Sequence, residues 1–352
     1  MDKPKIPLNQ RDKIRFAGII KARALLGPKC IDILITSKCN INCLYCTLHS
    51  SFNPKKIKPY HMKWPLLKKI IDDVHAINTD AITISGDGEP WLHPQIEKII
   101  SYIKNKDLHL TINTNLTFPS LKTLKSFSKT DKLRVNAASL SESLYCKIHD
   151  TNSNVYKNLI RNLTIIKRIS DINAKPKVTI VYIVTKLNYM LLPKMISSLQ
   201  KYGITHIEIE LMEEKKFTRQ LSLNSKQISE FRRLIGNIQK KNIKIECNFD
   251  LAKNQKNLCK ECYIPYLNSR IEIDGTVAFC CQNHNLTVGN INKDPSFKKL
   301  WFSTQAQQIR FIATHAFDIN NPLWKPCITC NELSIMQNKA IYLKKKNIKN
   351  EK

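Results

Sequence analysis

The sequence predicts an α/β chain: a parallel sheet of six strand–helix units, followed by a small cysteine-rich domain. Three observations predict it. Short runs rich in Ile, Val and Thr alternate with runs of helical spacing from residue 30 to residue 242. Serial β–α units need crossover helices, and crossover helices imply parallel strands. Past residue 250 the alternation stops, and Cys, Pro and Asn become frequent.

The elements follow in order. Residues 1–29 read as a polar extension carrying one amphipathic segment, RFAGIIKARALLG, ended by Gly27-Pro28. CIDILIT (30–36) has the period-2 pattern of a strand, and PLLKKIIDDVHAIN (65–78) has helical spacing with Pro65 at its start. Strands are then expected at 81–85, 109–115, 132–138, 177–185 and 206–212. Helices are expected between and after them, at 95–105, 120–129, 155–170, 191–203 and 225–242. An open doubly wound sheet and a partial barrel both satisfy this order. In either, chemistry gathers at the C-terminal ends of the strands. NSRIEIDGTVAFCC (268–281) reads as a hairpin with Asp274-Gly275 at its turn. The Lys-rich end, 336–352, reads as a basic tail.

Composition bounds the function classes. The chain has 352 residues and a net charge of +29. Such a field favours anionic ligands, but the lysines are scattered and no nucleic-acid-binding module accompanies them, so a nucleic-acid partner is not expected. No run of apolar residues is long enough to span a bilayer, and the first residues lack the apolar core of a secretory signal. A cytoplasmic location, with no membrane partner, is the expectation.

Twelve cysteines in such a chain point to metal rather than disulfides. Cys30, Cys146 and Cys247 are isolated and read as small core hydrophobes. Cys39, Cys43 and Cys46 fall on a loop just past the first strand. Three thiolates can hold three irons of a [4Fe–4S] cluster and leave the fourth iron open. Structural zinc usually takes four closed ligands.

The C-x3-C-x2-C spacing, with Tyr45 before the last Cys, resembles the signature of the radical SAM superfamily. The resemblance implies a partial (β/α)6 TIM-like barrel over residues 30–250. It implies a [4Fe–4S] cluster on Cys39, Cys43 and Cys46, and S-adenosylmethionine (SAM) chelated at the open iron. It also implies reductive cleavage of SAM to a 5′-deoxyadenosyl radical that abstracts a substrate hydrogen, with Tyr45 near the adenine. SGDGEP (85–90) looks like the family's Gly-Gly-Glu-Pro stretch, which holds the SAM amino group. It assigns Gly86, Asp87, Gly88 and Glu89 to the cofactor, with Asp87 standing where the family has a glycine. By the same resemblance Asn115, Asn136 and Ser139, at the ends of strands three and four, are cofactor contacts. Thr114, Thr185 and Asn188 are weaker candidates of the same kind, and each of these six residues could equally cap a helix.

The stretch from Cys262 resembles the SPASM/Twitch extension of radical SAM enzymes. Cys262-x2-Pro265, Asp274-Gly275, Cys280, Gly289-Asn290-Ile291 and Trp301 stand in its order, with Cys327-x2-Cys330 after them. The resemblance implies an auxiliary [4Fe–4S] cluster on Cys262, Cys280, Cys327 and Cys330 within residues 251–335. Cys259 and Cys281 are the possible substitutes. Paired C-x2-C motifs also suit zinc, the alternative for this segment.

The resulting expectation is a radical SAM oxidoreductase acting on a carbohydrate-like small molecule, with an electron donor such as flavodoxin or ferredoxin. A maturase of ribosomally made peptides is the first alternative. A basic, metal-stapled nucleic-acid-binding or tRNA-modifying protein is the second. His49 and His93 lie near the cofactor motifs, yet a lone His is more often structural. Glu208 and Glu210 alternate on strand six and so share one face.

Overall fold

The computed structural model describes residues 6–118, 122–238, 243–247, 261–280, 283, 285–294, 296–318 and 320–329. Cys259, Cys281, Cys330 and the tail at 336–352 lie outside the described residues. The chain opens with α1 (Leu8–Ile20), β1 (Cys30–Leu34), α2 (Trp64–Ala76), β2 (Ala81–Ser85), α3 (Ile96–Lys104) and β3 (His109–Thr114). It continues through β4 (Lys132–Asn136), α4 (Glu142–Ile148), α5 (Ser153–Asn173), β5 (Lys177–Val184), α6 (Leu192–Gln200), β6 (His206–Leu211), α7 (Ser225–Ile238) and β7 (Lys244–Cys247). The C-terminal part contains α8 (Ile264–Leu267), β8 (Asn268–Ile271), β9 (Thr276–Ala278), β10 (Thr287–Asn290), α9 (Phe297–Trp301) and α10 (Thr304–His315).

The strands form one open sheet in the order β10-β9-β8-β1-β2-β3-β4-β5-β6-β7. β1 to β7 are parallel neighbours in chain order. This is the partial barrel expected, with seven parallel core strands rather than six. The seventh, KIEC, is short and only half-buried, so it has no apolar run for a sequence pattern to register.

Alternation along the strands sorts the two faces. Ile31, Ile33, Ile82, Ile84, Leu110, Ile112, Leu133 and Val135 join the main core. α2 meets them with Leu67, Ile70, Ile71 and Val74, and α3 with Ile96, Ile99, Ile100 and Ile103, a spacing that keeps one helix stripe apolar. Burying each such side chain contributes about 1.5–3 kcal/mol. The alternate positions, among them Asp32, Ser85, Asn113, Arg134, Val181 and Glu210, are left for the concave face.

Four expectations are corrected. Residues 122–129 form a 3-10 helix, not an α-helix. Apolar residues there recur every third position (121, 124, 127), the period of a 3-10 turn. The N-terminal helix covers 8–20, not the run beginning at Arg15. Its buried side includes Arg11 and Arg15, which ion-pair with Asp80 at 2.8 and 2.7 Å, a polar anchor that apolar periodicity does not register. The expected hairpin at 268–281 forms as β8 and β9, but β8 pairs in parallel with β1, so the cysteine-rich segment continues the core sheet. Cys30, Cys146 and Cys247 are half-buried rather than core residues.

Candidate active site

The loop after β1 is fastened on both sides before any cofactor enters. Thr36 and His61 form an isolated bridge, and the Ser37 amide donates to the Tyr60 carbonyl. The amides of Asn42 and Leu44 donate to the carbonyls of His149 and Ile148 at the end of α4. This loop brings Cys39, Cys43 and Cys46, all free thiols, to the wall of a cavity of about 360 Å3. The cavity sits at the C-terminal ends of the strands, as a parallel sheet predicts.

Each sulfur faces N–H donors. The amides of Leu48 and His49 lie 3.4 and 3.2 Å from Cys46 Sγ. The Asn115 side-chain amide lies 3.9 Å from Cys39 Sγ. His149 Nδ1 lies 3.0 Å from Cys43 Sγ. Burial pushes the Cys39 thiol up to about 12, against a hydrogen bond from the Ile41 backbone. Burial, reinforced by the charges of Cys46 and Cys39, pushes Cys43 well above its ordinary value. Cys39 and Cys43 ionise together only when a cationic group takes their charge, and N–H donors are already aimed at the resulting thiolates. The donor set therefore fits an iron–sulfur cluster with three protein ligands.

The strap after β2 forms the opposite wall. A Cβ on Gly88 would meet the Lys38 carbonyl oxygen at 2.1 Å, and one on Gly86 would meet the Thr36 carbonyl oxygen at 2.7 Å. Both glycines therefore let the strap lie against the cysteine loop. The Gly88 and Glu89 amides donate to the Thr36 and Lys38 carbonyls at 3.0 and 2.8 Å. Asp87 keeps a negative φ, so its side chain costs no backbone strain. Its carbonyl accepts from His49 Nε2 at 2.7 Å, and its carboxylate lies 3.9 Å from Arg270 of β8. Glu89 is buried and accepts from Thr114 Oγ1 (2.7 Å), the Asn115 amide (2.6 Å) and the Trp91 amide (3.2 Å). Burial pushes its carboxyl up to about 7 despite those bonds. Glu89 thus ties the strap to the end of β3.

Tyr45, Asn115 and Asn136 also reach the cavity, and Tyr45 donates to Asn136 Oδ1 at 2.8 Å. Asn115 holds Asn40 and Thr117 at 2.9 and 2.7 Å, which fixes the cysteine loop against β3. Ser139 is not brought to this cavity. Its hydroxyl accepts from the Ser141 amide, and it lines a separate cleft with Leu144 and Met195. Asn188 bonds the Ala138 and Ile183 carbonyls and the Thr185 amide, a structural brace. His93 is buried between the Met62 carbonyl and the Gln95 amide, so it is structural, whereas His49 lines the cavity.

Glu208 and Glu210 do share the concave face, joined there by Arg134. Its Nε donates to Glu208 at 2.8 Å, and its Nη2 to Glu210 at 2.8 Å. The sequence does not single out Arg134 or His149. Arg134 is in phase with Asn136 on its strand, which is a usable signal. Nothing local marks His149, whose role depends on a contact 106 residues away in sequence.

In the C-terminal part, Cys262 and Cys327 are buried in the main core, and Cys280 packs against it. Asn283 Nδ2 lies 3.4 Å from Cys327 Sγ and 2.8 Å from the Leu323 carbonyl. The Cys262 amide donates to the Ala313 carbonyl at 2.7 Å. Cys330 falls outside the described residues. Among the described residues no helix is long and apolar enough to cross a membrane.

Comparisons with known proteins agree with this geometry. Residues 33–172 match the radical SAM superfamily, and residues 259–331 match the SPASM iron–sulfur cluster-binding domain. An uncharacterised protein of Methanocaldococcus jannaschii is 27% identical over 77% of this chain and 92% of its own length. An S-adenosylmethionine-dependent nucleotide dehydratase of Selenomonas ruminantium is 26% identical over 45% of this chain and 57% of its own. The fold resembles that of SuiB of Streptococcus suis bound to its precursor peptide SuiA, with a TM-score of 0.67 and 16% identity. That likeness covers 94% of this chain and 76% of SuiB. The SPASM match sets zinc aside for the C-terminal cysteines. Residues 33–172 thus form a radical SAM domain and residues 259–331 a SPASM domain, and the cofactors these domains imply are SAM, the [4Fe–4S] cluster that binds it, and further iron–sulfur.

Proposed function

We propose that the chain is an oxidoreductase in which cluster-bound SAM yields a 5′-deoxyadenosyl radical, the radical takes a hydrogen atom from a carbohydrate-like small molecule, and the C-terminal cluster accepts an electron. The observation that carries this reading is the single chamber in which Cys39, Cys43 and Cys46 face the Gly86–Glu89 strap across the strand ends. Cys39, Cys43 and Cys46 would hold the first cluster. The strap and Asn136 would orient SAM, and the backbone of Asp87 is fixed for that by His49. Cys262, Cys280, Cys327 and Cys330 would hold the auxiliary cluster.

The rest of the lining supports this substrate class. Asn113, Asn136, Arg134 and Glu210 present fixed donors and acceptors, with Val181 and Ile183 as a small apolar floor. A hydroxyl-rich molecule would match such half-buried groups, and leaving them unmatched would disfavour its deoxygenated analogues. Reducing equivalents would come from a flavodoxin- or ferredoxin-type donor. A peptide substrate is the second reading, supported by the fold shared with SuiB, which was solved with a precursor peptide.

The test is hydrogen tracing. Loaded protein is incubated with SAM and a reductant, together with deuterated polyols and sugars or with deuterated peptides. Deuterium in 5′-deoxyadenosine from the sugar set supports the first reading. Deuterium only from peptides supports the second and discards the first.

A further inference from the structure

We infer that His149 is a positioning residue for the first cluster: its Nδ1–H donates a hydrogen bond to the sulfur of Cys43 and raises the potential at which that cluster takes an electron. The inference rests on the reading that Cys43 is a cluster ligand.

The proton's place follows from the partner on the other side of the ring. The Ala138 backbone amide can only donate, and its nitrogen lies 3.1 Å from His149 Nε2. Nε2 therefore accepts and carries no hydrogen. In a neutral imidazole the hydrogen is then on Nδ1, which lies 3.0 Å from Cys43 Sγ. The imidazole is a donor toward the sulfur, not a base that competes for its proton.

The ring has little freedom to turn away. His149 is fully buried. Tyr145 stacks on it at 4.1 Å between centroids, and Tyr45 meets its edge at 5.8 Å. Its backbone belongs to the same clamp, since its amide donates to the Tyr145 carbonyl and its carbonyl accepts from the Asn42 amide. One residue thus fixes the cysteine loop through its main chain and faces a ligand sulfur with its side chain.

The effect on the cluster has a definite sign. When the cluster gains an electron, negative charge grows on its sulfurs, the Cys43 sulfur included. An N–H donor aimed at that sulfur stabilises the reduced form more than the oxidised one, because the bond strengthens with the acceptor's charge. Hydrogen bonds to the sulfurs are among the levers that set such potentials. Cys46 takes its donors from the main chain, and the side-chain N–H facing Cys39 is the longer contact from Asn115. His149 therefore makes the shortest side-chain N–H contact to this ligand set among the described residues.

The experiment is a redox titration followed by electron paramagnetic resonance, on anaerobically loaded full-length protein without SAM. His149→Phe keeps a ring and removes the donor. It is expected to lower the ratio of reduced to oxidised first cluster about tenfold at a given potential, a midpoint shift of about 59 mV to more negative values. The C-terminal cluster's midpoint should not move. His149→Asn, whose amide can sit near the Nδ1 position, should recover part of the shift. An unchanged midpoint in His149→Phe overturns the inference. If that variant fails to load, the wild type decides. Protein labelled with 15N-histidine should show a nitrogen coupling to the reduced first cluster that is absent from labelled His149→Asn, and no such coupling overturns the inference. Wild-type protein with no first-cluster signal at all would instead refute the assignment of Cys43, and this inference with it.

Discussion

At the scale of single residues, the chamber depends on atoms that are not there. Gly88 lies so close to the Lys38 carbonyl that a methyl group cannot fit without moving the strap. Gly88→Ala is expected to lower the rate of SAM cleavage by about tenfold or more, the cost of misplacing a cofactor by a fraction of its binding geometry. Initial rates of 5′-deoxyadenosine formation at matched iron content check this. Arg134 makes a different prediction. It holds Glu208 and Glu210 together, and without it the buried Glu208 keeps Lys132 as its cationic partner among the described residues. Arg134→Gln should destabilise the fold by about 3 kcal/mol, read by urea unfolding. The sequence shows the glycines, the three clustered thiols and the two asparagines because each carries a motif or a strand-end position. His149 is invisible there because its partner lies 106 residues away, and Arg134 shows only as a position in phase with Asn136.

At the scale of elements, strand and helix periodicity is legible wherever one face is continuously apolar. β1 to β6 are all found within a few residues of their expected positions for that reason. β7 is missed because it has no apolar stripe, and the helix expected at 120–129 is a 3-10 helix because its apolar residues recur every third position. Polar pins do comparable work at the strand starts. Asp131, just before β4, accepts from the Leu110 amide (2.8 Å), Lys104 (2.5 Å) and Lys175 (2.6 Å). These partners outweigh burial and hold its carboxyl down to about 2. A carboxyl that binds its proton more weakly in the fold than in the unfolded chain stabilises the fold above its unfolded pKa. That contribution fades as pH falls from about 4 toward 2. Asp131→Asn should therefore cost about 2 kcal/mol at neutral pH, with the gap from wild type closing over that acid range in denaturant titrations.

At the scale of the molecule, the cysteine-rich segment is built onto the core through the β1–β8 pairing. Arg270 of β8 reaches across that seam to Asp32, Asp87 and Glu272, so the strap on one side and the hairpin on the other share an ion-pair group. Trp301 Nε1 donates to the Leu26 carbonyl at 2.8 Å, which ties the C-terminal part to the N-terminal extension. Sequence composition divides these pieces because it changes at residue 250, whereas strand pairing across that boundary leaves no trace in composition. If the two cysteine sets each hold a [4Fe–4S] cluster, anaerobic reconstitution gives about eight irons per chain, and changing Cys39, Cys43 and Cys46 to Ala leaves about four. The central claim is that the first of these clusters keeps an iron free for SAM. The most direct measurement is the yield of 5′-deoxyadenosine from fully loaded, oxygen-free protein given SAM and a strong reductant. The account predicts its formation, and its loss in the triple alanine variant. Loaded protein that binds its full iron yet produces none would contradict it.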